Sequence, residues 1–388
     1  MGEIMNVLLV TGKWPISNED VDGGCQTTID ILETLHCKCN VDILLPQAFQ
    51  GVDIPYVKKA FYFSIDKTEY IANYNNSNKF LERLKWTKTV SSAIAQIASN
   101  YDRIIIQHCF FAMNLDKLLD PIILKKLLVF PMFLTPDYQK SGENVPSQYT
   151  EMEEELLRSG VTILTPSEYS KKTILSFYNG INADKIIVCP RYIDDSVFQK
   201  KKKPKVHKPI RLIYVASIKL QKNNLEVIDV AKELFSRDIN FSLYLVGPIQ
   251  NTDYANQFYS ALNLCPFKNK ILVLGSVSHK ELENLYSEMD LSISVSRCET
   301  FGRAIIEGLY CGLPAVVKDS IACFHNVVGE GSGIVYAKSP ADMAQAVIEC
   351  LDENRYLRLS QEACISGARF AKSSVQTKFW ETLYEYKY

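Results

Sequence analysis

Residues 291–317 read LSISVSRCETFGRAIIEGLYCGLPAVV. An apolar strand, Leu291 to Val295, runs into a polar turn, Ser296 to Arg303, and then into a helical run from Ala304 to Tyr310. Gly312 stops that helix, Pro314 follows, and Ala315-Val316-Val317 opens another buried strand. Strand, helix and strand in so short a space form one repeat of a parallel α/β sheet.

The same alternation runs backwards from this stretch. Strands are expected at Arg211 to Val215, Phe241 to Val246 and Ile271 to Leu274, with helices at Asn224 to Phe235 and Lys280 to Ser287. The N-terminal half shows it too. Apolar runs at Asn6 to Val10, Val41 to Leu45, Arg103 to Gln107, Lys126 to Leu134 and Val161 to Thr165 read as strands buried on both faces. After Gly23-Gly24, Ile29, Leu32 and Leu35 fall at helical spacing, and Glu151 to Arg158 is helix-like. Residues 50–80 are rich in Tyr, Asn and Lys, give no period, and are expected to form loop and short helix.

Between the halves, Lys200 to Lys208 (KKKKPKVHK) carries six lysines and no acid, the signature of a linker. A patch for anionic lipid or polymer is the alternative reading of that run. The expected division is therefore 1–199 and 200–369, two doubly wound α/β domains facing across a cleft. Ligands of such sheets bind outside the carboxyl ends of the strands.

Composition excludes several functions. A chain of 388 residues, 47% hydrophobic and 22% charged, exceeds what one core usually supports. A net charge of −1 provides no global field for nucleic acid, so an anionic ligand must be held locally. Eleven scattered cysteines without a CxxC argue against a disulfide framework and a zinc site, and point to a reducing, cytoplasmic location. The opening MGEIMNVLLVTGKW is too short for a signal or a spanning helix, so any membrane contact would be peripheral.

The chemistry concentrates in Glu299 to Glu307. A helix beginning near Gly302 would turn backbone N–H groups of Phe301, Gly302 and Arg303 toward the strand ends, where a diphosphate can be accepted. Glu307 lies about 7 Å further along the helix axis at 1.5 Å per residue, and Glu299 stays on the loop. Carboxylates accept from hydroxyl groups, so Glu299 is assigned to the transferred sugar and Glu307 to the nucleotide ribose. A capping Glu299 and a solvated Glu307 are the competing assignment.

These residues resemble the retaining glycosyltransferases of family four, within glycosyl transferases group 1, whose signature is E-x-F-G-x-x-x-x-E followed by a small residue, C/A-G-x-P-V-V. Glu299, Phe301, Gly302, Glu307, Gly312, Pro314, Val316 and Val317 match it. Val273 to Ser278 resembles the turn that receives the nucleobase, placing Val277 at the donor, and Val327 to Gly333 resembles the glycine-rich turn. Lys222 matches the diphosphate lysine. The usual glycine-arginine before it is Ala216-Ser217 here, which leaves Ser217 or Lys219 as replacement. Thr300 and Arg303 join the donor set by position. Gly24 resembles the glycine loop near the donor phosphate, and His108 the histidine near the reacting sugar, with a plain glycine turn and a structural histidine as the competing explanations. The terminal run Phe379 to Tyr384 resembles the last helix, so residues 370–388 are expected to pack back on the first domain.

The resemblance implies a GT-B fold, a nucleotide-sugar donor (UDP-sugar ahead of GDP-sugar), retention of configuration, catalytic Lys222, Glu299 and His108, and no metal. The acceptor is left as a glycan, lipid-linked or small-molecule hydroxyl. Rival functions are a nucleotide-sugar epimerase, a phosphorylase, or a non-catalytic nucleotide-sugar-binding subunit.

Overall fold

A computed structural model describes residues 4–15, 23–65, 79–200, 205–249 and 253–384. The chain divides into two compact units, one of residues 1–190 with 377–388, the other of residues 191–376. Residues 191–199 join the second unit through Phe198, which is 2% exposed and packs on Tyr286 with ring centroids 6.0 Å apart. Of the lysine run, residues 201–204 lie outside the described residues.

The first unit is built on a 7-stranded sheet in the order β3-β2-β1-β4-β5-β6-β7, every neighbouring pair parallel. Its strands are β1 Asn6–Val10, β2 Asn40–Pro46, β3 Lys59–Phe63, β4 Arg103–Gln107, β5 Leu127–Phe130, β6 Thr162–Thr165 and β7 Ile186–Val188. The helices are α1 Gly23–Leu35, α2 Lys79–Ile97, α3 Cys109–Ala112, α4 Leu115–Leu118, α5 Pro121–Leu124, α6 Thr135–Lys140, α7 Ser147–Arg158 and α8 Glu168–Phe177. Strand β3 falls in the stretch expected to be loop and short helix. It is the edge strand of its sheet, and of its residues only Phe63 is buried, so a core-facing alternation is scarcely written in it.

The second unit has a 6-stranded sheet in the order β10-β9-β8-β11-β12-β13, again parallel throughout. Here the strands are β8 Ile210–Val215, β9 Phe241–Val246, β10 Ile271–Gly275, β11 Leu291–Ser294, β12 Ala315–Lys318 and β13 Ile334–Ala337. The helices are α9 Asn224–Ser236, α10 Asp253–Asn263, α11 His279–Glu288, α12 Arg303–Tyr310, α13 Ala322–Val327, α14 Pro340–Glu349, α15 Glu353–Ala368 and α16 Lys372–Tyr384. Ser278 and Glu281 form a reciprocal cap on α11, and Ser339 with Asp342 does the same for α14.

Helix α16 starts in the second unit and ends in the first. Phe379, wholly buried, packs on Phe130 of β5 at 6.5 Å between centroids, and the Lys38 ammonium stands 4.4 Å over the Trp380 ring. Among the described residues no helix is long and apolar enough to cross a membrane.

In each sheet the strand order reverses once, between β1 and β4 and between β8 and β11. Such reversals open a crevice at the carboxyl ends of the two strands.

Candidate active site

The β8–β11 reversal carries the charged residues. Lys222 follows β8 on a short 3-10 turn, Leu220–Lys222, and Glu299 follows β11. Lys222 Nζ lies 2.5 Å from Glu299 Oε1, with both side chains mostly buried. The two loops are stitched together independently of that pair. Arg297 N donates to Gln221 O at 2.9 Å, and the Tyr214 hydroxyl donates to the Lys222 carbonyl at 2.5 Å while lying 3.0 Å from Ser296 Oγ. Burial pushes the Tyr214 hydroxyl far up, so it stays a proton donor.

Helix α12 begins at Arg303 with Gly302 as its cap, at φ +78°. A Cβ at that position would overlap the Phe324 ring, so both the left-handed backbone and the space require glycine. The Gly302 carbonyl accepts from Ile305 N and Ile306 N at 3.1 and 3.2 Å, which fixes the helix start beside Glu299. Glu307, one turn in, is 3% exposed, with its Oε2 3.5 Å from the Tyr286 hydroxyl. Tyr286 donates to the Ala304 carbonyl at 2.8 Å, and burial, then Glu307, raise its pKa well above the usual value. Glu307 is therefore a buried carboxylate and not a solvated helical residue.

Other expected donor residues are spread around this centre. Ser217 and Lys219 stand half-buried after β8, with Lys219 N donating to Asn224 Oδ1 at 3.1 Å. Thr300 and Arg303 flank the helix start. Phe301 turns its ring onto Phe370, with centroids 5.6 Å apart and planes 80° apart, so that side chain serves packing. Val277 lines a depression of about 290 Å³ with Leu274, Leu285 and Asn284. Two participants escaped the sequence reading, Glu226 and Lys318, which form an ion pair at 2.7 Å. Lys318 ends the buried strand after Pro314, and a lysine there was the available signal.

Gly24 and His108 belong to the first unit. Gly24 is the second residue of α1, and its carbonyl accepts from Gln107 Nε2 at 2.8 Å. Gln107 Oε1 in turn accepts from Thr11 Oγ1 and Thr28 Oγ1 at 2.6 and 2.5 Å, a neutral knot that fills the β1–β4 reversal. His108 follows β4 at φ +86° and Met132 follows β5 at φ +65°. Left-handed backbone at two neighbouring strand ends is strain of the kind kept at working sites. The His108 ring packs on Phe110 at 5.3 Å. Arg83 lies 5.1 Å over the Phe110 ring and donates to the Tyr138 hydroxyl at 2.8 Å.

Deeper in this unit Glu153 of α7 is wholly buried. Its Oε1 accepts from Thr135 N at 2.8 Å and from the Tyr178 hydroxyl, and its Oε2 has no hydrogen-bond partner. Burial raises its pKa to about 7 against the pull of those donors. Among the described residues no group of three or more His, Cys, Asp or Glu side chains is placed to hold a metal ion.

Residues 195–369 match the family model described as Glycosyl transferases group 1. The Escherichia coli serotype-specific mannosyltransferase WbdA is 26% identical over 146 residues, 36% of this chain and 17% of that protein. The Salmonella typhimurium O-antigen chain mannosyltransferase RfbU is 28% identical over 170 residues, 44% of this chain and 45% of that protein. The chain thus spans less than half the length of either relative. Among solved structures, sucrose-phosphate synthase from Thermosynechococcus elongatus superposes with a TM-score of 0.76 at 15% identity, covering 98% of both chains. Anabaena HepE in complex with UDP and glucose gives 0.73 at 17% identity, covering 98% of this chain and 100% of that one. WaaG, a glycosyltransferase involved in lipopolysaccharide biosynthesis, gives 0.72 at 11% identity, covering 97% and 99%. These likenesses establish the fold of the whole chain as GT-B, with two Rossmann-like units.

Proposed function

We infer that this chain, whose residues 195–369 match the model for glycosyl transferases group 1, is a glycosyltransferase that moves a sugar from a nucleotide-sugar donor to an acceptor hydroxyl with retention of configuration. The observation that carries the reading is the Lys222–Glu299 pair beside the start of α12, with Glu307 buried one turn further in. Without donor, Lys222 and Glu299 neutralise each other. With donor, Lys222 and the α12 N–H groups take the diphosphate, and the freed Glu299 accepts from hydroxyls of the transferred sugar. Glu307 accepts from the ribose.

In the reaction the bond from the anomeric carbon to the diphosphate breaks and the bond to the acceptor oxygen forms on the same face. The acceptor proton passes to the leaving diphosphate, so no side-chain base is required. Lys222 acts by stabilising the charge that develops on that leaving group. His108 is proposed to orient the acceptor-side hydroxyl.

UDP-sugars are the first donors to try and GDP-sugars the second. The mannosyltransferase relatives and the neighbour solved with UDP and glucose make mannose and glucose the first sugars to test. The acceptor class is a saccharide, lipid-linked saccharide or small-molecule hydroxyl. The free cysteines suit a reducing, cytoplasmic compartment, with any membrane contact peripheral.

The test is nucleoside diphosphate release from a donor panel, with and without EDTA, and the product anomer read by NMR. Retained configuration and chelator-insensitive turnover are expected. Glu307→Ala should weaken donor binding about 10²-fold, and His108→Ala should lower turnover while leaving donor affinity intact. An inverted product, or strict Mn²⁺ dependence, would overturn the respective part of the reading.

A further inference from the structure

The carboxyl ends of the second sheet hold, besides Lys219 and Lys222, a further lysine that the glutamate motif does not announce. Lys318, the last residue of β12, places Nζ 2.7 Å from Glu226 Oε2, with side chains 25% and 14% exposed. Glu226 stands in the first turn of α9, and the same oxygen accepts from Asn223 Nδ2. Asn223 follows Lys222 directly and is left-handed, at φ +53°. One carboxylate therefore ties the end of β12 to the loop that presents Lys222.

Strand register shows where this lysine stands. Ser292 pairs with Ile213 of β8 and with Ala315 of β12, and Ser294 pairs with Val317. Continued past the paired residues, these registers put Ala216, Val295 and Lys318 on one level across three adjacent strands. Ala216 begins the Ala216-Ser217 pair that stands in place of the expected glycine-arginine. Neighbouring strands lie about 4.8 Å apart, so Lys318 is rooted roughly 10 Å from it. Because Glu226 stands in the first turn of α9, the helix that follows β8, an ammonium that reaches it is directed back over β11 toward the Lys222 side.

We propose that Lys318 is the second cation of the diphosphate site, held on Glu226 in the empty protein and transferred to phosphate oxygens when the nucleotide enters. The proposal rests on the donor reading above. Two lysines converging on one crevice repel each other and are costly to desolvate unless each has a counter-charge. The sheet supplies one to each, Glu299 for Lys222 and Glu226 for Lys318. An incoming diphosphate carries enough negative charge to replace both. Glu226 then keeps its bond to Asn223, so the loop stays in place while the cation is released.

A strut that merely holds Asn223 would use the same three residues, and the two roles differ in sign. Removing Glu226 frees a binding cation but cripples a strut. The experiment is calorimetric titration of the full chain with UDP and GDP, and with uridine and guanosine as controls, for the wild type, Lys318→Met, Lys318→Arg and Glu226→Gln. Lys318→Met is expected to lose about tenfold in affinity for whichever diphosphate binds and nothing for its nucleoside. Lys318→Arg should recover most of that loss, and Glu226→Gln should bind as well as the wild type or better. Wild-type affinity in Lys318→Met, or equal weakening in Lys318→Met and Glu226→Gln, overturns the proposal and leaves the donor reading standing. A wild type that binds neither UDP nor GDP overturns the donor reading and this proposal together. If Lys318→Met fails to fold by circular dichroism, Glu226→Gln decides alone, and weakened diphosphate binding there counts against the proposal.

Discussion

The two reversal points are built alike in backbone and oppositely in chemistry. At β8–β11 two lysines and two glutamates are paired, each pair partly open to solvent. At β1–β4, among the described residues, Gln107, Thr11, Thr28 and the Gly24 carbonyl, neutral groups and all buried, are bonded to one another. Charged partners can be exchanged for a charged ligand at modest cost, because the ligand replaces one counter-charge with another. A saturated neutral knot has no such exchange available. The topology provides a strand-order reversal in each unit, and in the proposed donor reading it is the exchangeable charge pairs that fit the second unit's reversal to an anion.

The strongest attack on this contrast is Lys222→Met. Turnover is expected to fall about 10²–10³-fold, with a lowered melting temperature from the unpaired Glu299 that leaves the protein folded at the assay temperature, as measured by nucleotide release and calorimetry. Preserved turnover would remove the charged crevice from the chemistry. The neutral knot should respond the other way. Gln107→Leu removes three buried hydrogen bonds, while the Thr28 hydroxyl keeps the Lys13 carbonyl at 2.7 Å and the Thr11 hydroxyl keeps Lys13 N at 2.9 Å, so a loss of about 1–2 kcal/mol of stability is expected in denaturant melts, with nucleoside diphosphate affinity retained. Weakened nucleotide binding with normal stability would show that the first crevice also serves the donor.

A third effect depends on pH and concerns Glu153. A carboxyl held near pH 7 when folded and near 4.5 when unfolded binds its proton more tightly in the native state. Its contribution to stability is fully present below pH 4.5 and is lost as pH rises through about 7. Melts of the wild type between pH 5 and 7.5 should therefore carry a downward slope that Glu153→Gln lacks. An identical slope in both proteins would assign it to other groups.

The sequence disclosed the sheets well because parallel strands covered on both faces are written as unbroken apolar runs. Asn6–Val10, Arg103–Gln107 and Phe241–Val246 run between the same residues in both readings. Edge strand β3 was hidden because its faces are only half covered, and residues 66–78 of that ambiguous stretch lie outside the described residues. In the site, Glu299, Gly302 and Glu307 were legible because one loop and one helical turn carry all three. Whether Glu307 was solvated could not be read from spacing, since that depends on Tyr286 arriving from α11. Glu226 and Lys318 are 92 residues apart, and only the pairing of β8, β11 and β12 brings them together. Local motifs spell out what one segment holds, and register decides what distant segments share.

Helix α16 gives the first unit a debt in time. Phe379 and Trp380, which cover Phe130 and Lys38, leave the ribosome only after residues 191–376 have been made. At about 5–20 residues per second that is a wait of roughly 10–40 s. Throughout it the nascent first unit lacks the helix that covers Phe130, while the second unit can complete its own sheet as soon as Ala337 of β13 has been made. Synthesis order and completion order are therefore reversed in this molecule, and the half made first is the half that finishes last.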